Sequence, residues 1–136
     1  MMNPMFSRAM QTQPQVLLFH FAPDERTIHI IRYLTVNGIR VKNVSAAEES
    51  ETIGFLFSLP GYESSGKRSL SAAVREEMLV MMGFDQSMLE DFLRFFREKG
   101  IRRVELKAML TPTNAAWSGG ELYRHMTLER EALRKR

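Results

Sequence analysis

The chain contains no cysteine, which removes disulfides, thiolate nucleophiles and cysteine-based zinc or iron-sulfur sites together. A reducing compartment is the simplest home for such a chain, so a cytoplasmic location is expected. Histidine is scarce as well. His20, His29 and His125 are far apart and none belongs to a metal-spaced pair, so no metal and no cofactor is expected. Long hydrophobic runs are also missing: Ile53 to Phe57, interrupted by glycine, and Met78 to Met82 fall far short of the roughly 18 to 20 apolar residues of a membrane span. Residues 1–15 lack the apolar core of about 7 to 15 residues that a secretory signal needs. The fingerprints GxSxG, GxxxxGK[ST] and GxGxxG are absent, and with them the usual hydrolase, phosphate-loop and dinucleotide signatures. Adjacent acids at Glu48-Glu49, Glu76-Glu77 and Glu90-Asp91 diverge by about 100° on a helix, which suits solvated faces rather than paired-carboxylate chemistry.

What is present suits one globular domain. The 136 residues are 44% hydrophobic and 26% charged, enough to bury a single core. A disordered lead-in over 1–15 and a single domain over 16–136 are expected. The net charge is +3 and the isoelectric point is near 9.5, but the excess sits at the ends. Residues 1–15 carry one positive charge and residues 121–136 carry five Lys/Arg against three Glu, whereas 16–120 carry thirteen of each sign. A nucleic-acid surface concentrates basic residues on one face, so neither nucleic acid nor a membrane is an expected partner.

Hydrophobic periodicity divides the chain into two similar halves. VLLFHF over 16–21 has the length and content of a buried strand. Asp24 then caps a helix running to Asn37-Gly38, and IRVKNV over 39–44 alternates as a half-buried strand. Ser45 starts a helix expected to reach Leu59 before Pro60-Gly61, and the Gly/Ser-rich stretch 61–71 reads as a mobile loop. MLVMM over 78–82 is the third strand, Met88 to Phe96 mark a helix ending at Gly100, and 101–110 is the fourth strand. An offset of 62 aligns Leu17 with Leu79, Ile30 with Phe92, Leu34 with Phe96 and Gly38-Ile39-Arg40 with Gly100-Ile101-Arg102. Duplication and shared strand and helix periods both produce such a match.

Strands one and three are apolar on successive residues and belong at the centre; two and four alternate and suit the edges. The expected fold is therefore α/β: a four-stranded sheet from two β-α-β units, order 2-1-3-4, mostly parallel, with helices on both faces. A ferredoxin-like α+β sheet of order 4-1-3-2 is the alternative. More than thirty residues separate strands two and three, which favours the parallel form.

The most distinctive stretch is TPTNAAWSGGELY over 111–123. Ser118 and Glu121 have capping-box spacing, so a last helix starts there. Glycines 119 and 120 each cost about 1 kcal/mol in a helix relative to alanine and call for a reason. One reason is a ligand: an anion at the helix N-terminus, with Thr111, Thr113, Asn114 and Ser118 adding polar groups. The other is a turn in which Trp117 covers the core edge and the polar residues satisfy the backbone. In a parallel sheet the loops after strands one, three and four would gather His20, Asp24, Asp85, Thr113, Asn114 and Trp117 at one edge. Lys107, flanked by apolar residues, reads as a snorkelling edge lysine or as a tuned amine. Methionine is abundant, ten in all, and suits core filling.

MLVMMGF, the helix running to KGI, and above all ELKAMLTPTNAAW followed by ELY resemble a bacterial family, domain of unknown function 3783. The resemblance spans roughly 16–128, with LKAMLTPTN, Trp117 and Glu121-Leu122-Tyr123 as its specific part. Gly119-Gly120 departs from the ordinary helix formers expected there. The family implies no activity. The function expected from the residues is a small, non-catalytic, cytoplasmic binding or regulatory module with a small anion or a protein as partner. The alternative is an anion- or phosphometabolite-binding domain, or a small enzyme, using the 111–121 loop. A protein partner would meet the 61–71 loop or the narrow stripe of Leu122, Met126 and Leu133.

Overall fold

The computed structural model describes residues 13–67 and 73–135. The first unit is strand β1 (Gln15–Phe19), helix α1 (Glu25–Val36) and strand β2 (Arg40–Val44). The second is strand β3 (Met78–Met82), helix α3 (Gln86–Lys99) and strand β4 (Leu106–Met109). Between them lies the one-turn helix α2 (Ile53–Leu56), and helix α4 (Gly119–Arg134) closes the fold. Most of the expected lead-in, and the 68–71 part of the expected loop, lie outside the described residues.

Local chemistry sets the helix ends as expected. The Asp24 carboxylate accepts from the Thr27 amide at 2.9 Å and Asp85 accepts from the Met88 amide at 2.8 Å, each relieving one unpartnered N–H of a first turn. Gly38 and Gly100, equivalent under the 62-residue offset, both have left-handed φ, 74° and 64°, so each unit leaves its helix by the same device.

The sheet has the expected order, β2-β1-β3-β4. Two of its three pairs, β1 with β2 and β3 with β4, are parallel, and the central pair is antiparallel. The antiparallel pair follows from where the long connection ends. Val44 and Met78 both lie beside Phe19, so the connection starts and finishes at the same edge, and its residues Ile53, Leu56, Phe57 and Leu59 cover a face of the sheet. In the central pair Leu17 faces Val80 and Leu18 faces Leu79. The 62-residue shift carries Leu17 to Leu79 and Leu18 to Val80, so the two pairs exchange, as a two-fold axis through the sheet centre requires.

Alternation along the strands separates two cores. Val16, Leu18, Leu79 and Met81 meet Ile30, Leu34, Phe92 and Phe96 of α1 and α3 on one face. Leu17, Phe19, Met78, Val80 and Met82 meet Ile53, Leu56, Phe57 and Leu122 on the other. The second face is where expectation and structure differ most. No continuous helix runs from Ser45 to Leu59: Ala46–Glu48 form a 3-10 turn, and α2 starts only after Thr52, whose hydroxyl accepts from the Phe55 amide at 3.1 Å. The break serves Glu49 and Glu51, both buried. Glu49 accepts from the Ala73 and Val74 amides at 2.7 and 2.9 Å, and Glu51 accepts from the Ser65 amide at 2.7 Å, bonds that two carboxylates along a regular helix would not make together. Ser65, within the 61–71 stretch, is thereby tied to Glu51.

The fourth strand starts later than its periodicity suggested. Gln15 of β1 pairs with Arg40, 25 residues on, whereas Met78 of β3 pairs with Leu106, 28 residues on. The three additional residues are held by α1 rather than by the sheet. Arg26 donates from Nε to the Arg102 carbonyl at 2.8 Å and from Nη2 to the Arg103 carbonyl at 3.2 Å, while its Nη1 meets Glu77 at 2.7 Å.

Candidate functional site

The antiparallel centre separates the residues that a parallel sheet would have gathered. His20 and Asp24 follow β1 at one edge, and Asp85 and Thr111 follow β3 and β4 at the opposite edge. His20 is exposed and has a left-handed φ of 63°. Asp24 is engaged as the α1 cap, and the hydrogen bond from the Thr27 amide lowers its pKa. Lys107 donates from Nζ to the Val104 carbonyl, and burial lowers its pKa.

The 111–121 segment forms a joint between β4 and α4 whose polar groups are largely hydrogen-bonded within the protein. Asn114 is buried. Its Oδ1 accepts from the Thr111 amide at 2.9 Å, its Nδ2 donates to the Met109 carbonyl at 3.0 Å, and its own amide donates to the Thr111 hydroxyl at 3.0 Å. Thr113 is exposed. Trp117 is half-buried and stacks on His125, with ring centres 3.9 Å apart and planes 5° from parallel. Its carbonyl accepts from the Ile53 amide at 2.8 Å.

The capping box of α4 is present. Ser118 Oγ accepts from the Glu121 amide at 3.1 Å, and Glu121 accepts from the Ser118 amide at 3.2 Å. The Gly119 and Gly120 amides donate to the Glu51 and Glu49 carbonyls, both at 3.2 Å. The first three amides of α4 therefore all have acceptors from the protein itself. This contact also accounts for Gly119. A Cβ there would stand 2.7 Å from the Phe19 ring and 3.3 Å from the Glu49 carbonyl, so only glycine lets the helix end reach the 49–51 backbone. At Gly120 the nearest atom is the Ala73 Cβ at 3.0 Å, a milder restriction.

Charge clusters elsewhere are matched internally. Arg130 grips Glu76 through two nitrogens, at 2.7 and 2.9 Å, and Tyr123 donates its hydroxyl to the same carboxylate at 2.9 Å. The guanidinium holds the Glu76 carboxyl down to about 2. Among the described residues no three His, Asp or Glu side chains are placed to hold a metal ion.

A different region has the opposite character. Beside β2, at the rim of the sheet, α2 and the turn after it border a cleft of about 380 Å³, toward the small end of the range of about 300–1,000 Å³ typical of small-ligand sites. Phe55, Leu56 and Leu59 give it apolar lining, and Lys42, Ser58 and Tyr62 bring polar groups. The Tyr62 ring lies against Gly54, where a Cβ would be 2.6 Å from its Cγ. Ser58 occupies the left-handed position after α2, φ 60°, with the Schellman pair of bonds from the Ser58 amide to the Phe55 carbonyl and from the Leu59 amide to the Gly54 carbonyl. Lys42 Nζ meets Glu48 Oε2 at 3.1 Å, while Glu48 Oε1 accepts from the Ser45 amide and hydroxyl. Among the described residues no partner is recorded for the Ser58 or Tyr62 hydroxyl, and the Lys42 ammonium has further N–H groups to offer. Sequence reading missed this cleft because its walls come from three segments; the only local signal was Ser58 at a helix stop where glycine is usual.

Comparison with known proteins bears on the second unit. No curated protein and no solved structure matches the chain. The family model described as domain of unknown function 3783 matches residues 77–133, from the residue before β3 into the last turn of α4. The resemblance read from the sequence over roughly 16–128 is thus carried by 77–133, and the cleft beside β2 lies outside it. Over β3, α3, β4, the 111–121 joint and α4, the chain is similar to the domain of unknown function 3783 family.

Proposed function

We propose that this chain is a small, non-catalytic binding or regulatory module that works in the cytoplasm and takes its ligand in the cleft beside β2. The observation that carries this reading is the contrast in hydrogen-bonding state. The cleft combines an apolar lining with the Lys42–Glu48 ion pair and two hydroxyls that have bonding capacity to offer, and small-ligand sites are generally built from such a mixture. The cysteine-free composition supports the location, and among the described residues no helix is long and apolar enough to cross a membrane.

The second reading, an anion or phosphometabolite on the 111–121 loop, draws its support from the exposed Thr113. Against it, the Gly119, Gly120 and Glu121 amides are already hydrogen-bonded. A thermal-shift screen of phosphorylated metabolites, nucleotides, carboxylates and short oligonucleotides separates the two. A ligand at a hundredfold its Kd adds about 2.7 kcal/mol, a rise of roughly 5 to 15 °C in a domain of this size. A shift reduced by Tyr62→Phe and unaffected by Thr113→Ala is the expected result. The reverse dependence favours the second reading, and no shift with any compound overturns both in favour of a protein partner.

A further inference from the structure

We infer that the ligand of the cleft beside β2 is a small monocarboxylate with an apolar body, its carboxylate on Lys42 and its body against Phe55. This rests on the cleft being the binding site and adds the chemical class. Lys42 is the one cation among the residues lining the cleft. Its side chain is 41% exposed, so an incoming anion reaches the ammonium without opening the fold. Glu48 acts as a strut: one oxygen is fixed by the Ser45 amide and hydroxyl at 3.0 and 3.1 Å, and the other holds Lys42 at 3.1 Å. The ammonium is therefore kept in place with two of its three N–H donors to offer, enough for one carboxylate.

The same pairing argues against a phosphate. Glu48 already offsets the single positive charge, and the first three amides of the long helix α4 are engaged at the joint. Either anion meets the Lys42 ammonium beside the Glu48 carboxylate and two neutral hydroxyls, Ser58 and Tyr62, but a dianion brings twice the charge against Glu48 with no second cation to offset it. The apolar lining then requires that the rest of the molecule be hydrocarbon, aromatic or branched aliphatic, since a bare carboxylate would leave the half-buried Phe55 ring uncovered.

The test is a calorimetric titration of the full chain with benzoate, benzamide and phenyl phosphate. Benzoate is expected to bind at least tenfold more tightly than benzamide, its neutral counterpart, and more tightly than phenyl phosphate. Lys42→Met should reduce benzoate to the level of benzamide, and Tyr62→Phe, which removes only a hydroxyl, should weaken benzoate severalfold with the circular dichroism spectrum unchanged. Equal binding of all three compounds would leave the cleft as a site and overturn the carboxylate class. Tighter phenyl phosphate would overturn the class in favour of a phosphate, and no binding by any of them would overturn the site with the class.

Discussion

The joint over 111–121 and the cleft beside β2 are both polar interruptions of an apolar domain, yet one spends most of its hydrogen-bonding groups on the protein itself and the other keeps some to offer. At the joint, Asn114 satisfies both ends of its amide and the α4 amides are closed by the Glu49 and Glu51 carbonyls. In the cleft, two hydroxyls and the Lys42–Glu48 pair line a cavity. A motif such as TPTNAAWSGG can be distinctive because its folding requirements are severe.

The largest effect expected from breaking this contrast lies at the joint. Asn114→Ala leaves the Met109 carbonyl and the Thr111 amide without a partner, so it should lower stability by about 2–4 kcal/mol in urea unfolding, whereas exposed Thr113→Ala should stay within about 0.5 kcal/mol. Comparable losses from both variants would refute the assignment of roles within the loop. The two glycines should differ next. Gly119→Ala forces a methyl onto Phe19 and is expected to cost about 1–3 kcal/mol, while Gly120→Ala should be close to neutral because helix propensity offsets a mild contact; a stabilising Gly119→Ala would contradict the close approach.

A smaller effect belongs to the Glu76–Arg130 pair, which ties β3 to α4. The folded pKa of Glu76 is depressed to about 2 from 4.5, so the pair's contribution is present above pH 4.5 and is lost as pH falls from there toward 2. Its carboxylate is 41% exposed, which reduces the effect to about 1 kcal/mol after screening. Acid titration of Glu76→Gln should show that much less loss over this interval, and an unchanged acid slope would show that the pair contributes nothing. The smallest effect is at the cleft. Ser58→Gly relieves the left-handed φ and should raise stability by about 0.5–1 kcal/mol, the opposite sign from Asn114→Ala and Gly119→Ala, while weakening benzoate.

Much of the architecture was legible in the sequence. Continuous apolar runs in VLLFHF and MLVMM identified the central strands, and Asp24, Ser118 with Glu121, Gly38 and Gly100 marked helix ends through bonds made within a few residues. The direction of β3 was not legible, because a strand buried on both faces looks the same whichever way it runs. The late start of β4 and the break in the expected second helix were hidden for a related reason. Arg26 holds Arg102 and Arg103, and Glu49 and Glu51 reach amides at 73, 74 and 65, all partners remote in sequence. Glycines 119 and 120 were rightly singled out, but the carbonyls they approach lie about seventy residues earlier in the chain. The cleft was least visible of all, since Lys42, Ser58 and Tyr62 carry no shared pattern along the chain.

The most direct test of the contrast between joint and cleft is an amide-resolved NMR titration of the full chain with benzoate. The account predicts that the Ser58, Leu59 and Tyr62 amides move with concentration while those of Thr111, Thr113, Gly119 and Gly120 stay in place. Movement at Thr111 to Gly120 with a silent 58–62 segment would contradict it.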